Sequence, residues 1–92
     1  MSKKVVVTVL GQDCVGIVAK VATALAENQV NIEDINQKIL GGSIFAMTML
    51  TDMVKCPVDL PELSRRLQAV GDELGLKVVT QDAEVFRFMH RV

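Results

Sequence analysis

The sequence predicts an α+β domain in which a four-stranded antiparallel sheet carries two helices on one face, followed by a short C-terminal helix. Three observations indicate this fold class. Strand-like and helix-like hydrophobic patterns alternate in the order β-α-β-β-α-β. Only Gly41-Gly42-Ser43, a turn signal, separates the second and third strands. The chain has 92 residues, 50% of them hydrophobic, which suits a single domain over residues 1–92.

The first half of the chain predicts a strand, a helix and a second strand. Residues 3–10 are β-branched and apolar, with Thr8 as the only polar interior residue, which indicates a buried central strand. From Asp13 the pattern takes a helical period that ends near Asn28. Residues 30–40 mix apolar and polar positions, which is typical of an edge strand. The expected apolar stripe of the helix is Val18, Val21, Ala22, Leu25 and Ala26.

The second half begins with an apolar strand over residues 44–50. A second helix follows, because Asp59 and Glu62 are spaced as a capping pair and Pro61 suits a first helical turn. Gly75 supplies the expected stop. The predicted apolar face of this helix comprises Leu60, Leu63, Leu67, Val70 and Leu74.

The last segments complete the topology. Residues 77–81 predict a short strand, and residues 83–92 have apolar positions at helical spacing, which indicates a closing helix. The order is that of the ferredoxin-like βαββαβ fold. In that fold the first and third strands are central, and the second and fourth strands form the two edges.

Both predicted central strands are apolar at nearly every position, including Val5, Val6 and Val7 in one and Ile44 and Phe45 in the other. Because both helices are expected on the same face, the other face would be a large exposed apolar patch. Such patches usually mark contacts between molecules. The sequence therefore predicts a homo-oligomer, either a dimer or a tetramer.

The bulk composition excludes several classes of partner. The formal net charge is −1 and the basic residues are scattered, which argues against binding to nucleic acid or to a membrane surface. No apolar run approaches the roughly 18 residues of a membrane span, and no secretory signal follows the first residues, so a cytoplasmic location is expected. Cys14 and Cys56 form no CxxC pair and His90 is the single histidine, so neither a disulfide framework nor a metal site is expected.

The joint between the first strand and the first helix, residues 11–16 (GQDCVG), is the most informative segment. We expect Asp13 to cap the helix by accepting the backbone amide of Gly16. A glycine in the first turn would let a ligand approach the free amides, which suit a carboxylate or another anion. Two plainer interpretations stay open: Asp13 serves as a cap alone, and Gly16 permits close packing of helix on sheet. Asn31 has a plain interpretation too, as a turn residue.

Other functions that this topology supports do not fit the joint. A P-loop needs Lys-Ser/Thr where Ile17-Val18 stand. An acylphosphatase-like site needs an arginine within or just after residues 11–17, and a metal chaperone needs a second cysteine beside Cys14. An RNA-binding domain needs aromatic residues on both central strands, but the first strand has none and the third has only Phe45, which suits the core. No nucleophile or acid–base pair is apparent, so we expect no enzyme and no cofactor.

Taken together, the strand, the segment from Gly11 to Gln37 and the Asn-Ile opening of the second strand resemble an ACT domain. That family is marked by Asp-x-x-Gly at the first joint, a helix of small apolar residues, and Asn-Ile. The chain is most similar to the small stand-alone ACT proteins of the UPF0237 type and more distantly to the glycine-cleavage repressor type. The matching residues are Asp13, Gly16, Ile17, Val18, Ala19, Val21, Leu25, Ala26, Asn31, Ile32 and Ile35.

The resemblance implies a regulatory module that binds a small molecule, usually an amino acid, where two ACT domains meet. Cys14-Val15 stand where many ACT domains carry a basic residue or a proline, so the ligand is not specified. The alternative is a ligand-free interaction module that docks on a partner enzyme. The ligand-binding residues that the resemblance carries over are Gln12, Asp13, Cys14, Val15, Gly16, Asn31 and Ile32.

Overall fold

Seven secondary-structure elements follow the predicted order. The structure is a computed structural model that describes residues 2–89. The elements are β1 (Lys4–Gln12), α1 (Ile17–Glu27), β2 (Asn31–Leu40), β3 (Ile44–Asp52), α2 (Leu60–Leu74), β4 (Leu76–Asp82) and α3 (Ala83–Met89). The strands form one antiparallel sheet in the order β2-β3-β1-β4. The ferredoxin-like α+β fold is therefore confirmed, although the end of the closing helix predicted through Val92 lies outside the described residues.

The ends of α2 follow the local chemistry that predicts them. The Asp59 carboxylate accepts the backbone amide of Glu62 at 3.1 Å, which caps the helix, and a proline lies in its first turn. Gly75 ends the helix with φ 70, a left-handed conformation that glycine adopts without strain.

The core lies between the sheet and the two long helices. Alternate residues of the central strands point into it, namely Val5, Val7 and Val9 of β1 and Phe45, Met47 and Met49 of β3. From α2 it receives Leu63 and Leu67. The stripe expected on α1 is partly wrong, because Ala26 is exposed while Ala24 is buried. The buried residues of α1 are Ile17, Val21, Ala24 and Leu25.

The opposite face of the sheet is less apolar than the sequence suggests. Thr8 of β1 lies beside Thr48 of β3 on this face, and α3 packs over Val6, which is buried. The predicted large bare apolar face is therefore wrong. The physical reason is the pleat: most apolar residues of β1 and β3 occupy alternate positions that all point to the helix-covered side. Exposed large apolar side chains on this face gather at one end, at Leu10, Leu40 and Ile44.

An ion pair that spans the sheet fixes the start of the β2 edge. The register of β2 shifts between Ile32 and Asp34, and the Lys4 ammonium reaches across β3 to both carboxylate oxygens of Glu33, at 2.6 and 2.7 Å. This hydrogen bond to Glu33 raises the pKa of Lys4. The backbone amide of Lys3 donates to Asp52 and is the main cause of the lowered pKa of that carboxyl. The first residues of β2 are thereby held beside β1 and β3.

No helix within residues 2–89 is long and apolar enough to cross a membrane.

Candidate functional site

An open groove of 490 Å³ lies between the N-terminus of α1 and the last residues of β2. The backbone amide of Asp13 donates to the carbonyl of Ser43 at 2.8 Å, which holds the β2–β3 hairpin beside the loop before α1. The hairpin thereby supplies the second wall of the groove. One wall comprises residues 13, 14 and 16–19, and the other comprises Gln37, Lys38, Ile39 and Phe45.

Gly16 is the N-cap residue of α1, with φ 90 and ψ 6, and no side chain caps this helix. The prediction that Asp13 caps α1 is therefore wrong. The helix begins at Ile17, so Asp13 lies four residues before its first turn, where its backbone bonds the hairpin instead. Close packing does not explain the glycine either, because a Cβ at this position would meet no atom within 4 Å. The positive φ is what requires glycine here.

The uncapped start of α1 gives the groove a positive end. The first amides of an α-helix have no intrahelical partner, and here the carbonyl of Gly16 accepts the amide of Lys20 at 2.9 Å as the helical ladder begins. No acidic side chain lies in the first turn of α1 to offset the positive end of the helix dipole. This arrangement suits a carboxylate.

The remainder of the groove is partly apolar. Ile17 and Phe45, both buried, contribute to its walls together with Ile39, which is 49% exposed. Asp13 is the only carboxylate among the residues that line it. The groove thus combines anion-binding amides, one carboxylate and an apolar surface, which matches the parts of a small zwitterion with an apolar side chain.

The structure brings together only some of the residues that the family resemblance implies. Asp13, Cys14 and Gly16 line the groove. Gln12 is exposed at the end of β1, and Val15, at 99% exposure, is outside the groove at the tip of the loop.

Asn31 and Ile32 lie at the other end of the sheet. Asn31 pairs with Asp52, which also pairs with the first residue of β1, whereas Gln12 at the end of β1 pairs with Ile44. At about 3.4 Å per residue, the length of β1 separates these two ends by roughly 27 Å. Within one chain, Asn31 and Ile32 therefore belong to no common site with the loop.

Sequence reasoning missed the second wall of the groove. Gln37, Lys38 and Ile39 belong to β2, which the sequence presents only as an edge strand. The available signal was the short Gly-Gly hairpin, since it joins β2 directly to β3 and so places the end of β2 on the opposite side of β3 from the end of β1.

The β2 edge carries apolar side chains that the helices leave uncovered. Ile35 pairs with Met49, a core residue, so Ile35 and Ile39 point to the side of the sheet on which the helices lie. Both remain substantially exposed, at 43% and 49%. This strip adjoins the groove, because Ile39 belongs to both.

Within residues 2–89 no group of three or more His, Cys, Asp or Glu side chains is arranged to hold a metal ion.

Comparison with known proteins places the fold in a family. Residues 3–81 match the model of the ACT domain. A UPF0237 protein of Methanocaldococcus jannaschii is 46% identical over 89 residues, which cover 97% of this chain and 98% of that protein.

Solved structures agree with this assignment. An ACT domain protein from Streptococcus pneumoniae superposes with a TM-score of 0.82 at 34% identity, covering 94% of this chain and 96% of that one. A putative glycine cleavage system transcriptional repressor shares the fold, with a TM-score of 0.66 at 21% identity over 88% of this chain and 46% of that one. The chain therefore belongs to the ACT domain family and, within it, to the group of UPF0237 proteins.

Proposed function

We propose that this chain is a non-catalytic regulatory module that binds an amino acid, and that two copies of the chain share the binding site. The observation that carries the proposal is the groove at the uncapped N-terminus of α1, which opens toward the uncovered β2 edge. The groove supports the ligand class, and the β2 edge separately supports the sharing of the site between two copies.

The groove accounts for the ligand class. The ligand carboxylate accepts hydrogen bonds from the first amides of α1, where the helix dipole favours negative charge. The ligand ammonium pairs with Asp13 across the loop. An apolar side chain then contacts Ile17 and Ile39. Specificity for one amino acid would follow from the shape of this apolar part.

The β2 edge accounts for the second copy. A second β2 strand, added antiparallel, would place a helix layer beside the first one and cover Ile35 and Ile39, which are exposed in one copy. Residues of the same face must lie opposite each other in such a pair. A two-fold axis through Asn36 meets this condition. It places Asp34 of each copy opposite Lys38 of the other, so two pairs of opposite charges face each other across the edge.

This pairing also reunites the two halves of the expected site. In the register centred on Asn36, and with the bulge at Glu33 counted, Ile39 lies opposite Ile32 of the second copy and Leu40 lies opposite its Asn31, next to the hairpin. The hairpin contacts the loop through the bond between Asp13 and Ser43. Asn31 of one copy therefore approaches the groove of the other, and the site is complete only in the dimer.

A thermal-shift screen against the common amino acids tests the ligand class. A ligand at a hundredfold excess over its Kd raises stability by about 2.7 kcal/mol. The amide derivative of any amino acid that stabilises the chain is the control, because it lacks the carboxylate and should give little shift. If no amino acid shifts the melting temperature, or if the amide acts equally well, the ligand proposal is wrong.

Light scattering and calorimetry on Ile39→Lys test the shared site. We expect this variant to be a monomer with weakened ligand binding, since the second copy would bury the charge of the introduced lysine at the β2 edge. Leu10→Lys is the matched control, because Leu10 is 47% exposed but lies on the other face of the sheet. A monomeric variant that binds the ligand with unchanged affinity would refute the shared site.

One observation favours a second function, that of an interaction module without a small ligand. Leu10, Leu40 and Ile44 are exposed together at one end of the second face, and Val15 is nearly fully exposed on the adjoining loop. A partner protein that covered this end would bury all four. A negative ligand screen, together with loss of partner binding in Leu10→Lys, would establish this function instead.

A further inference from the structure

β4 forms the sheet edge opposite β2 and pairs with β1 alone in the described sheet. In an antiparallel ladder, successive residues direct their backbone groups alternately toward and away from the neighbouring strand. The amide of Val78 donates to a side chain of α2 and not to β1, so it points outward. Leu76 and Thr80, two positions to either side, point outward as well. Such a row of outward groups is a template for pairing with another strand.

Gln68 of α2 occupies part of this row. Its Oε1 accepts the Val78 amide at 2.9 Å, and its Nε2 donates to the Leu76 carbonyl at 3.2 Å. One side-chain amide thus supplies both the acceptor and the donor that a neighbouring strand would supply. The second Nε2 hydrogen goes to the Asp72 carboxylate at 2.7 Å, four residues further along the same helix, which holds the amide in this orientation.

The backbone of α2 lies close to the same point. A Cβ at Gly71 would come within 2.8 Å of the Leu76 carbonyl oxygen and 2.6 Å of Val78 Cγ2, so no side chain fits there. Only a glycine allows the helix to approach the edge this closely. Gln68 reaches the outward groups of β4 because the helix is so near.

We infer that Gln68 closes the β4 edge to strand pairing, so that a second copy of this chain cannot add to the sheet through β4. The inference concerns β4 alone, and it holds whether or not β2 forms the contact proposed above. The two edges of the sheet differ. The Gln68 amide and helix α2 cover the β4 edge, whereas the residues from Glu33 to Leu40 on the β2 edge are all exposed.

Gln68→Leu removes the amide and keeps a side chain of similar length on a helix-forming residue. We expect the Val78 amide to exchange with solvent at least about tenfold faster in dilute solution, the effect of losing one hydrogen bond. We also expect species larger than any the wild-type chain forms, measured by sedimentation from micromolar to millimolar concentration. Ser64→Ala is the matched control on α2, because Ser64 and Gln68 both line a cleft between α2 and β4, but no hydrogen bond links Ser64 to the Val78 amide or the Leu76 carbonyl.

Gln68→Glu provides a second, graded variant. Its carboxylate still accepts the Val78 amide but donates nothing to the Leu76 carbonyl, so we expect association between that of the wild type and that of Gln68→Leu. Circular dichroism confirms folding of each variant. If folded Gln68→Leu and Gln68→Glu show wild-type exchange at Val78 and wild-type sedimentation at every concentration, the inference is overturned. A monomeric wild-type chain would refute the proposed shared site and would leave this comparison unaffected.

Discussion

Replacement of Gly16 by alanine isolates the reason for a glycine at the mouth of the groove. Gly16 has φ 90, and an L-residue with a left-handed backbone costs roughly 1–2 kcal/mol. A Cβ there meets no atom within 4 Å, so no steric clash adds to this cost. Alanine is also a poorer N-cap residue than glycine. We therefore expect Gly16→Ala to lower the free energy of unfolding by about 1–2 kcal/mol, almost entirely through the backbone.

Urea unfolding followed by far-UV circular dichroism measures this change. In a domain of this size, a loss of 1 kcal/mol lowers the Tm by roughly 4–8 °C. Gly16→Asn is the matched variant, because asparagine adopts the left-handed region more readily than alanine and should cost less. Val15→Ala is the control for the loop, since Val15 is almost fully exposed and contributes little to packing.

Two results would contradict the reasoning. If Gly16→Ala is as stable as the wild type, the left-handed backbone is not what selects glycine. If Gly16→Ala and Gly16→Asn lose equal stability, the loss arises from bulk at this position and not from φ. The same variants bear on the ligand proposal, because a folded Gly16→Ala places a methyl group near the helix amides and should weaken binding of a carboxylate.

Three further changes have outcomes set by single contacts. Gly71→Ala gains up to about 1 kcal/mol of helix propensity. It also forces a methyl group against the Leu76 carbonyl, at a cost of roughly 1–3 kcal/mol. Urea unfolding should therefore show a net loss of stability. Asp59→Ala should cost about 1 kcal/mol by the same measurement, because the carboxylate caps α2, and an unchanged midpoint would refute that role. The hydrogen bond from Arg65, followed by that from Arg66, lowers the pKa of Glu62 from its ordinary value of 4.5 to about 2. The ionised Glu62 side chain therefore stabilises the fold fully above pH 4.5, and this stabilisation is lost as the pH falls toward 2. Melting curves at several pH values should therefore show a smaller loss between those limits in Glu62→Gln than in the wild type, and equal losses would contradict the ion pair.

The order of the elements was predictable because most of them have a local cause in the sequence. Asp59 caps the start of α2 and Gly75 ends it, as the sequence predicts. The valine-rich β1 is central, as predicted, and pairs with β3 on one side and β4 on the other. Faces were harder to assign. A run of apolar residues gives no indication of which half points to the helices. The short α3 covers the second face only around Val6.

The candidate site was predictable only in part, since its geometry depends on distant contacts. Asp13 has the spacing of a cap, yet its backbone is held by Ser43 in a different turn, and α1 begins further on. Lys38 joins the groove through the same hairpin. Gln68 resembles any polar residue on a solvent-facing helix position until the β4 backbone is in place beside it.

The central position of β1 has a consequence for how the chain reaches its structure. β1 pairs on one side with β3 and on the other with β4, so Val5 can pair with Asp82 only after at least 82 residues have been synthesised. Pairings between such distant residues close large loops, which slows the folding of a domain relative to one built from local contacts. A nascent chain without its last strand exposes one full edge of its most hydrophobic strand. Until β4 is in place, the unpaired backbone groups of that edge are a template for pairing with another chain.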